Sequence, residues 1–291
     1  MRRMRDERGF ALVLTLMILV LITALVTEFS YGVFTTTSAL NNWKESQRLS
    51  FVARSGVTLA VKTIIDFQSL SPYTYPDRIE IPVEDILGGF TGRVIVTVED
   101  ETSRFNLNSL RNPHSLDAFK RLTQNLGLKE DIADRIANWL DLGNSDPRIS
   151  DPRKGTKHAF LDSTDELLEI KGIDSETFSK LLPYVTVFGR SDNVSININT
   201  ASLPVIMSLN VGSSEAQRII QERERKPFAD ISSDFIHRVG KDIGPPLQQN
   251  LDVKSSRFRI KVIAEENQIK RVIESVVAIS GQTTIEYWKE M

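Results

Sequence analysis

The sequence predicts an α+β fold: a long N-terminal helix packed on an antiparallel sheet, with a large helical segment inserted between the strands. Three observations lead there. An uncharged apolar run from Phe10 to Val26 passes, without a proline, into an amphipathic stretch that reaches Asp66. Segments rich in β-branched residues occur at 92–98 and again from 257 onward. Between them, residues 110–254 carry mostly helical periodicity and helix-capping residues.

The N-terminus comes first. Four arginines, Arg2, Arg3, Arg5 and Arg8, precede Gly9 and the 17-residue run Phe10–Val26. As a helix that run is about 25 Å long, slightly short of a ~30 Å hydrocarbon core, and it spans if it continues through Phe29 and Tyr31. A cleaved secretory signal would close on a small-x-small site, and Thr23-Ala24-Leu25 matches that poorly. The reading is therefore a retained single-pass anchor. The arginines hold its N-terminus in the cytoplasm, and the rest of the chain lies across the membrane.

The helix is expected to run on. Leu49, Val52, Gly56, Ala60 and Ile64 recur at helical spacing, while Lys44, Glu45, Arg48 and Lys62 supply a wet side. The loop Ser69–Asp77, with Pro72 and Pro76, stops it. Gly92–Val98 then reads as a strand, Glu99-Asp100-Glu101 as a polar turn and Arg104–Leu107 as a returning strand, so a hairpin is expected. Near the C-terminus, Arg257–Ala264, a turn at Glu266-Asn267, Ile269–Ile279 and Thr284–Trp288 read as consecutive strands. Strands at both ends of a helical stretch imply one sheet interrupted by an insert.

Within the insert, helices are expected over Ser115–Leu122, Glu130–Leu140, Ser163–Ile170, Asp174–Leu182, Leu203–Leu209 and Glu215–Gln221. Ser163 with Glu166 forms a capping box, and Asp174 caps the next helix. Short helices joined by turns such as Lys171-Gly172-Ile173 predict helix-hairpin-helix or SAM-like packing.

A basic leader, then Gly9-Phe10, then an apolar helix entered without a loop resembles the precursors of type IV pilins. That resemblance implies cleavage by prepilin peptidase between Gly9 and Phe10, with N-methylation of Phe10. The fifth residue of the mature chain is Leu14, where major pilins and pseudopilins carry glutamate. Members of the K minor pseudopilin family of type II secretion commonly lack that glutamate. In pilin filaments the carboxylate is paired with a neighbour's N-terminal amine, and a buried carboxylate is costly without a partner. A subunit with Leu14 needs no neighbour above it, which suits a tip position.

A second resemblance competes. Ser195–Gly212, followed by Glu215–Arg223 and Pro227-Phe-Ala-Asp-Ile231, is similar to the helix-hairpin-helix unit of ComEA-type competence proteins, which are anchored and bind duplex DNA. Such a hairpin presents backbone N–H groups to a phosphate. Here Asn210-Val211-Gly212 lacks the first glycine of the pair. Arg218, Arg223, Arg225, Lys226 and Arg238 are balanced by Glu215, Glu222, Glu224, Asp230 and Asp234, so little is gained from counterion release. No nucleic acid is expected, and a membrane-anchored DNA-binding protein stands as the alternative reading.

The K pseudopilin family resembles nearly the whole chain: the leader, Asp100–Leu110, Trp139-Leu-Asp141, Gly172 with Leu182–Thr186, and Asn197–Ala201. The resemblance implies a type IV pilin-like helix and sheet with an inserted α-domain. It divides the chain into a leader (1–9), a transmembrane segment (10–29), a pilin-like helix and first strands (30–109), an inserted helical domain (110–254) and closing strands (255–291). It also implies a place in the bacterial inner membrane with the globular part periplasmic. I-type and J-type minor pseudopilins are the implied partners, in a tip complex that primes pseudopilus assembly for export across the outer membrane. Calcium is a further implication, in the loop after Trp139-Leu-Asp141, where Asp141, Asp146 and Asp151, with Asn144 and Ser145, offer the oxygen donors this ion takes.

The 291 residues leave about 260 after the anchor, enough for a substantial core. A net charge of −2 and a pI near 6.0 give no general attraction to nucleic acid or an anionic bilayer. Zero cysteines exclude disulfides and thiol chemistry without deciding the compartment. No nucleophile, phosphate-loop or zinc-protease motif occurs, and His114, His158 and His237 are scattered. An enzyme is not expected.

Overall fold

The computed structural model describes residues 3–81, 90–140, 157, 159–189, 194–240 and 242–291, with side chains from Gly9 onward. A single helix, α1 (Arg3–Leu70), runs for 68 residues, about 100 Å at 1.5 Å per residue. Residues 10–26 carry no charged side chain, and every one of them is exposed. From Ser46 upward one face is buried: Leu49, Ala53, Val57, Ala60 and Ile64 lie against the sheet. Gly56 brings the helix close, since a Cβ there would stand 2.8 Å from Val262 Cγ1. Each buried Leu, Val or Ile on this face contributes about 1.5–3 kcal/mol.

The sheet contains β1 (Arg78–Ile81), β2 (Arg93–Asp100), β7 (Arg257–Glu266), β8 (Ile269–Ser280) and β9 (Gln282–Glu290), antiparallel in that spatial order. Alternation sets its two faces. Phe258, Ile260, Val262 and Ala264 of β7 point toward α1, whereas Arg257, Arg259 and Lys261 point away. The β7–β8 turn places both Asn267 (φ 48°) and Gln268 (φ 68°) in the left-handed region that a tight hairpin of the twisted sheet requires.

Between β2 and β7 in sequence, and beyond one end of the sheet in space, lies the helical part. It contains β3 (Phe105–Asn106), α2 (Pro113–Asn125), α3 (Asp131–Leu140), α4 (Ser175–Leu181), β4 (Val185–Thr186), β5 (Ile196–Asn197), α5 (Leu203–Ser208), α6 (Ser213–Arg225), α7 (Ile236–Val239), α8 (Gly244–Leu247) and β6 (Leu251–Asp252). Its core is separate from the one beneath α1 and centres on Phe105, Phe119, Leu122, Ile136, Phe228 and Phe235. The Ser163–Glu166 capping box is present, but it opens a 3-10 segment, Thr164–Glu169, instead of an α-helix.

The expected hairpin of 92–98 with 104–107 is not formed. β2 pairs with β1 and β7, while β3 leaves the sheet to pair in parallel with β4. Asp100 is the cause. Its side chain accepts from Thr102 N at 2.8 Å and caps a 3-10 turn, Glu101–Ser103, that turns the chain out of the sheet plane. β1 was not anticipated, because its four residues follow directly on a proline-rich loop.

Candidate functional site

Two regions bear on function: the free lower half of α1, and the joint where the helical part meets the sheet. Gly9, Phe10 and Leu14 all lie within α1, with Phe10 and Leu14 exposed. This is the one described helix long and apolar enough to cross a membrane, with a mean hydropathy of 2.8 in its most apolar window. Asp141, Asp146 and Asp151, with Asn144 and Ser145, lie outside the described residues. Of the residues flanking them, Lys157 N donates to Trp139 O at 2.9 Å.

The joint is built from adjacent carboxylates that the sequence reading placed in a solvated turn. Asp100 and Glu101 are 1% and 0% exposed, and as neighbours they serve opposite sides. Asp100 Oδ1 accepts from Thr102 N and Oγ1. Its Oδ2 accepts from Asn197 Nδ2 at 2.9 Å and Thr200 Oγ1 at 2.5 Å. Asn197 Nδ2 also donates to Thr74 O and Ser255 Oγ, so the outgoing and returning chains are joined through one amide. Glu101 forms a two-pronged pair with Arg259, at 2.8 and 2.9 Å, and accepts from Arg104 at 3.1 Å and Thr186 Oγ1 at 2.7 Å.

Burial works to raise the Glu101 carboxyl, but its hydrogen bonds to Arg259 and the Arg259 and Arg104 charges outweigh that and hold it below the usual range. Burial pushes Asp100 upward, and hydrogen bonds from Ser255, Thr102, Thr200 and Asn197 oppose the rise. Asp77, open to solvent on one side, is raised to about 6 by partial burial first and the Asp100 charge second. Three of the stretches that carried the family resemblance therefore meet here: Asp100–Leu110, Leu182–Thr186 and Asn197–Ala201. No signal within Glu99-Asp100-Glu101 marked the joint, because its partners Asn197, Thr200 and Arg259 come from distant parts of the chain.

The helix-hairpin-helix region has its own geometry. The turn between α5 and α6 puts Asn210 at φ 67°, and Gly212 (φ −66°) is the residue before α6. The arginines nearby are engaged internally. Arg218 donates to Val239 O, Arg223 to Ile198 O and Ala201 O, and Arg238 to Lys226 O while stacking on the Phe228 ring at 4.3 Å. Their charge clamps backbone carbonyls, where it does not form an open phosphate-binding face.

A half-exposed N-terminal helix, long and apolar enough to span a membrane, on a five-stranded antiparallel sheet with two strands before a helical domain and three after it, defines a pilin-like subunit of the enlarged kind. Two family models match the chain, both described as type II secretion system protein K, over residues 103–190 and 196–253, together half of its length. The chain belongs to the type II secretion system protein K family, whose members act as minor pseudopilins. Relatives carrying that description include one from Aeromonas hydrophila, 28% identical over 94% of this chain and 93% of the relative. One from Pectobacterium carotovorum is 26% identical over 95% and 94%, and one from Pseudomonas aeruginosa is 30% identical over 47% and 46%. In fold, the chain is similar to a chain in the crystal structure of the GspK-GspI-GspJ complex of the enterotoxigenic Escherichia coli type 2 secretion system. The TM-score is 0.65 at 19% identity, covering 85% of this chain and 97% of that one.

Proposed function

We propose that this minor pseudopilin occupies the tip of the periplasmic pseudopilus and primes its assembly with I-type and J-type minor pseudopilins. In this reading prepilin peptidase cuts between Gly9 and Phe10, Phe10 is methylated, and the inner membrane holds the span while the sheet and helical part stand in the periplasm. The observation that carries it is α1: a helix that leaves the apolar span unsupported, reaches its own sheet only at Ser46, and has Leu14 where a shaft subunit carries a carboxylate. The similar chain in the GspK-GspI-GspJ complex supports the partner assignment. The role is structural, through binding and not catalysis.

The reading extends to calcium at Asp141, Asp146 and Asp151, on the resemblance and on an all-oxygen donor set suited to a hard divalent cation. Mass spectrometry of the chain from cells with active prepilin peptidase tests the core of the proposal. The expected N-terminus is methylated Phe10, and the chain is expected to co-purify with I-type and J-type subunits. Recovery of the Met1 form, of a terminus beyond Val26, or of no such partners would overturn it.

A further inference from the structure

The edge strand β9 breaks its alternation at one place. Ile285 lies opposite Val277 and Tyr287 opposite Val276, so Glu286 is an extra residue between them, a β-bulge. Val277 belongs to the core beneath α1, whereas Val276 belongs to the core of the helical part. Ile285 therefore shares α1's face of the sheet. Glu286 and Tyr287, although adjacent, both face the other way: Glu286 pairs with Arg257 of β7, and Tyr287 packs against the helical part. Of the nine residues of β9, Tyr287 alone is not exposed.

Three contacts tie this strand to the helical part. The Tyr287 and Phe188 rings meet with centroids 5.6 Å apart, tilted by 56°. Arg257 donates to Glu286 at 2.9 and 3.1 Å, and its guanidinium lies flat against Gly189, where a Cβ would stand 3.0 Å from it. Lys289 Nζ stands 3.7 Å from Asp165 Oδ2. The Asp100–Glu101 joint lies instead on β2 and β7, and β9 is two strands further along, about 10 Å at the usual strand spacing. An open cleft of about 370 Å³ is lined by Arg104 and Arg259 of the joint, by Tyr287 and Lys289 of β9, and by Leu182 and Pro183 above them. The helical part overhangs the sheet here without filling the gap.

We infer that β9 is a clasp that fixes the tilt of the helical part on the sheet, with the Asp100–Glu101 joint as the pivot. The joint gathers its hydrogen bonds where the outgoing and returning chains meet, so it resists separation more than rotation. Contacts set to one side of it determine the angle, and the cleft gives the room for that angle to change. The clasp is one ring contact and ion pairs between partly exposed side chains, whereas the joint is buried. Exposed pairs hold weakly, so the clasp releases before the joint does. The inference concerns the chain by itself and does not rest on the tip reading.

The cysteine-free sequence allows two spin labels in the full-length chain held in lipid nanodiscs. K261C places one on the outer face of β7 and S179C one on α4, both at exposed positions. Pulsed dipolar spectroscopy should give a single narrow distance between them. Y287A/K289A should shift it to longer values and widen it, while Y287F, which keeps the ring, should leave it in place. I285A, on the same strand but the opposite face, should also leave it in place. D165K, a surface change that spares the core, should lengthen the distance, and the charge swap D165K/K289D should bring it back. An unchanged distance in Y287A/K289A and D165K would overturn the inference, because the joint alone would then hold the tilt. So would an equal shift in I285A, or a swap that fails to restore the distance. If Y287A/K289A does not fold, D165K and its swap decide the matter by the same outcomes.

Discussion

Glu101 shows how much a single side chain can hold. It is fully buried, and its charge is matched by Arg259 and Arg104. Replacing it by glutamine leaves the half-buried Arg259 with only Glu274 as a carboxylate partner. E101Q should therefore destabilise the chain by roughly 3 kcal/mol, the lower end of the range for breaking a buried pair, as read from denaturant midpoints of the soluble part. Asp77 acts in the other direction. Its folded-state value of about 6 lies above its ordinary 3.8, so between those values the folded chain binds more protons than the unfolded one, and this group's contribution falls as pH rises through that window. D77N should flatten that limb of the stability profile and raise the melting temperature at pH 7 more than at pH 4. An unchanged pH slope would count against the assignment. Composition alone made Glu99-Asp100-Glu101 look like a solvated turn, because nothing local reveals that Asn197, Thr200 and Arg259, some 100 and 160 residues away, supply the partners.

At the scale of elements, α1 was the most legible part. Its apolar span, its proline-free continuation and its 3.6-residue period are local properties, and the proline-rich loop marked its end within a few residues. The long strands β2, β7 and β8 were legible for the same reason. The pairing of β2 was not, since a strand's neighbour is a long-range choice and the nearer candidate, Phe105–Asn106, belongs to a different sheet. The two-residue strands β3 to β6 carry no period at all. Leu14 belongs to this scale because its consequence lies in how α1 sits among other helices. L14E should insert normally, as an acidic residue near the cytoplasmic end of a span costs less than the roughly 2.5–3.5 kcal/mol of a central one, and secretion should change only modestly. A loss of secretion as complete as gene deletion, with the variant folded and inserted, would show that Leu14 makes a required apolar contact.

At the scale of the whole molecule, near-neutral charge and the engagement of Arg218, Arg223 and Arg238 with backbone carbonyls argue against nucleic acid as a ligand. In a mobility-shift titration at ~150 mM salt, duplex DNA should not be bound at micromolar concentrations, a range that non-specific DNA binders commonly reach. Micromolar binding would restore the competence-type reading. The interrupted sheet was foreseen from the recurrence of strand-like segments at both ends of the chain. What held the two parts together was not, since the joint is made from residues scattered among five segments.

The place where the helical part departs and returns also sets how the molecule bears load. It leaves from Asp100 and comes back into β7 beside it, at Phe258, the partner of Asp100 across the β2–β7 ladder. Tension that draws the helical part away from the membrane pulls β2 and β7 together from the same end, so it shears the sheet against α1 and does not unzip the β2–β7 ladder. As a mechanical part the molecule carries load through the packing of α1 on its sheet, with the β2–β7 ladder kept out of the line of separation.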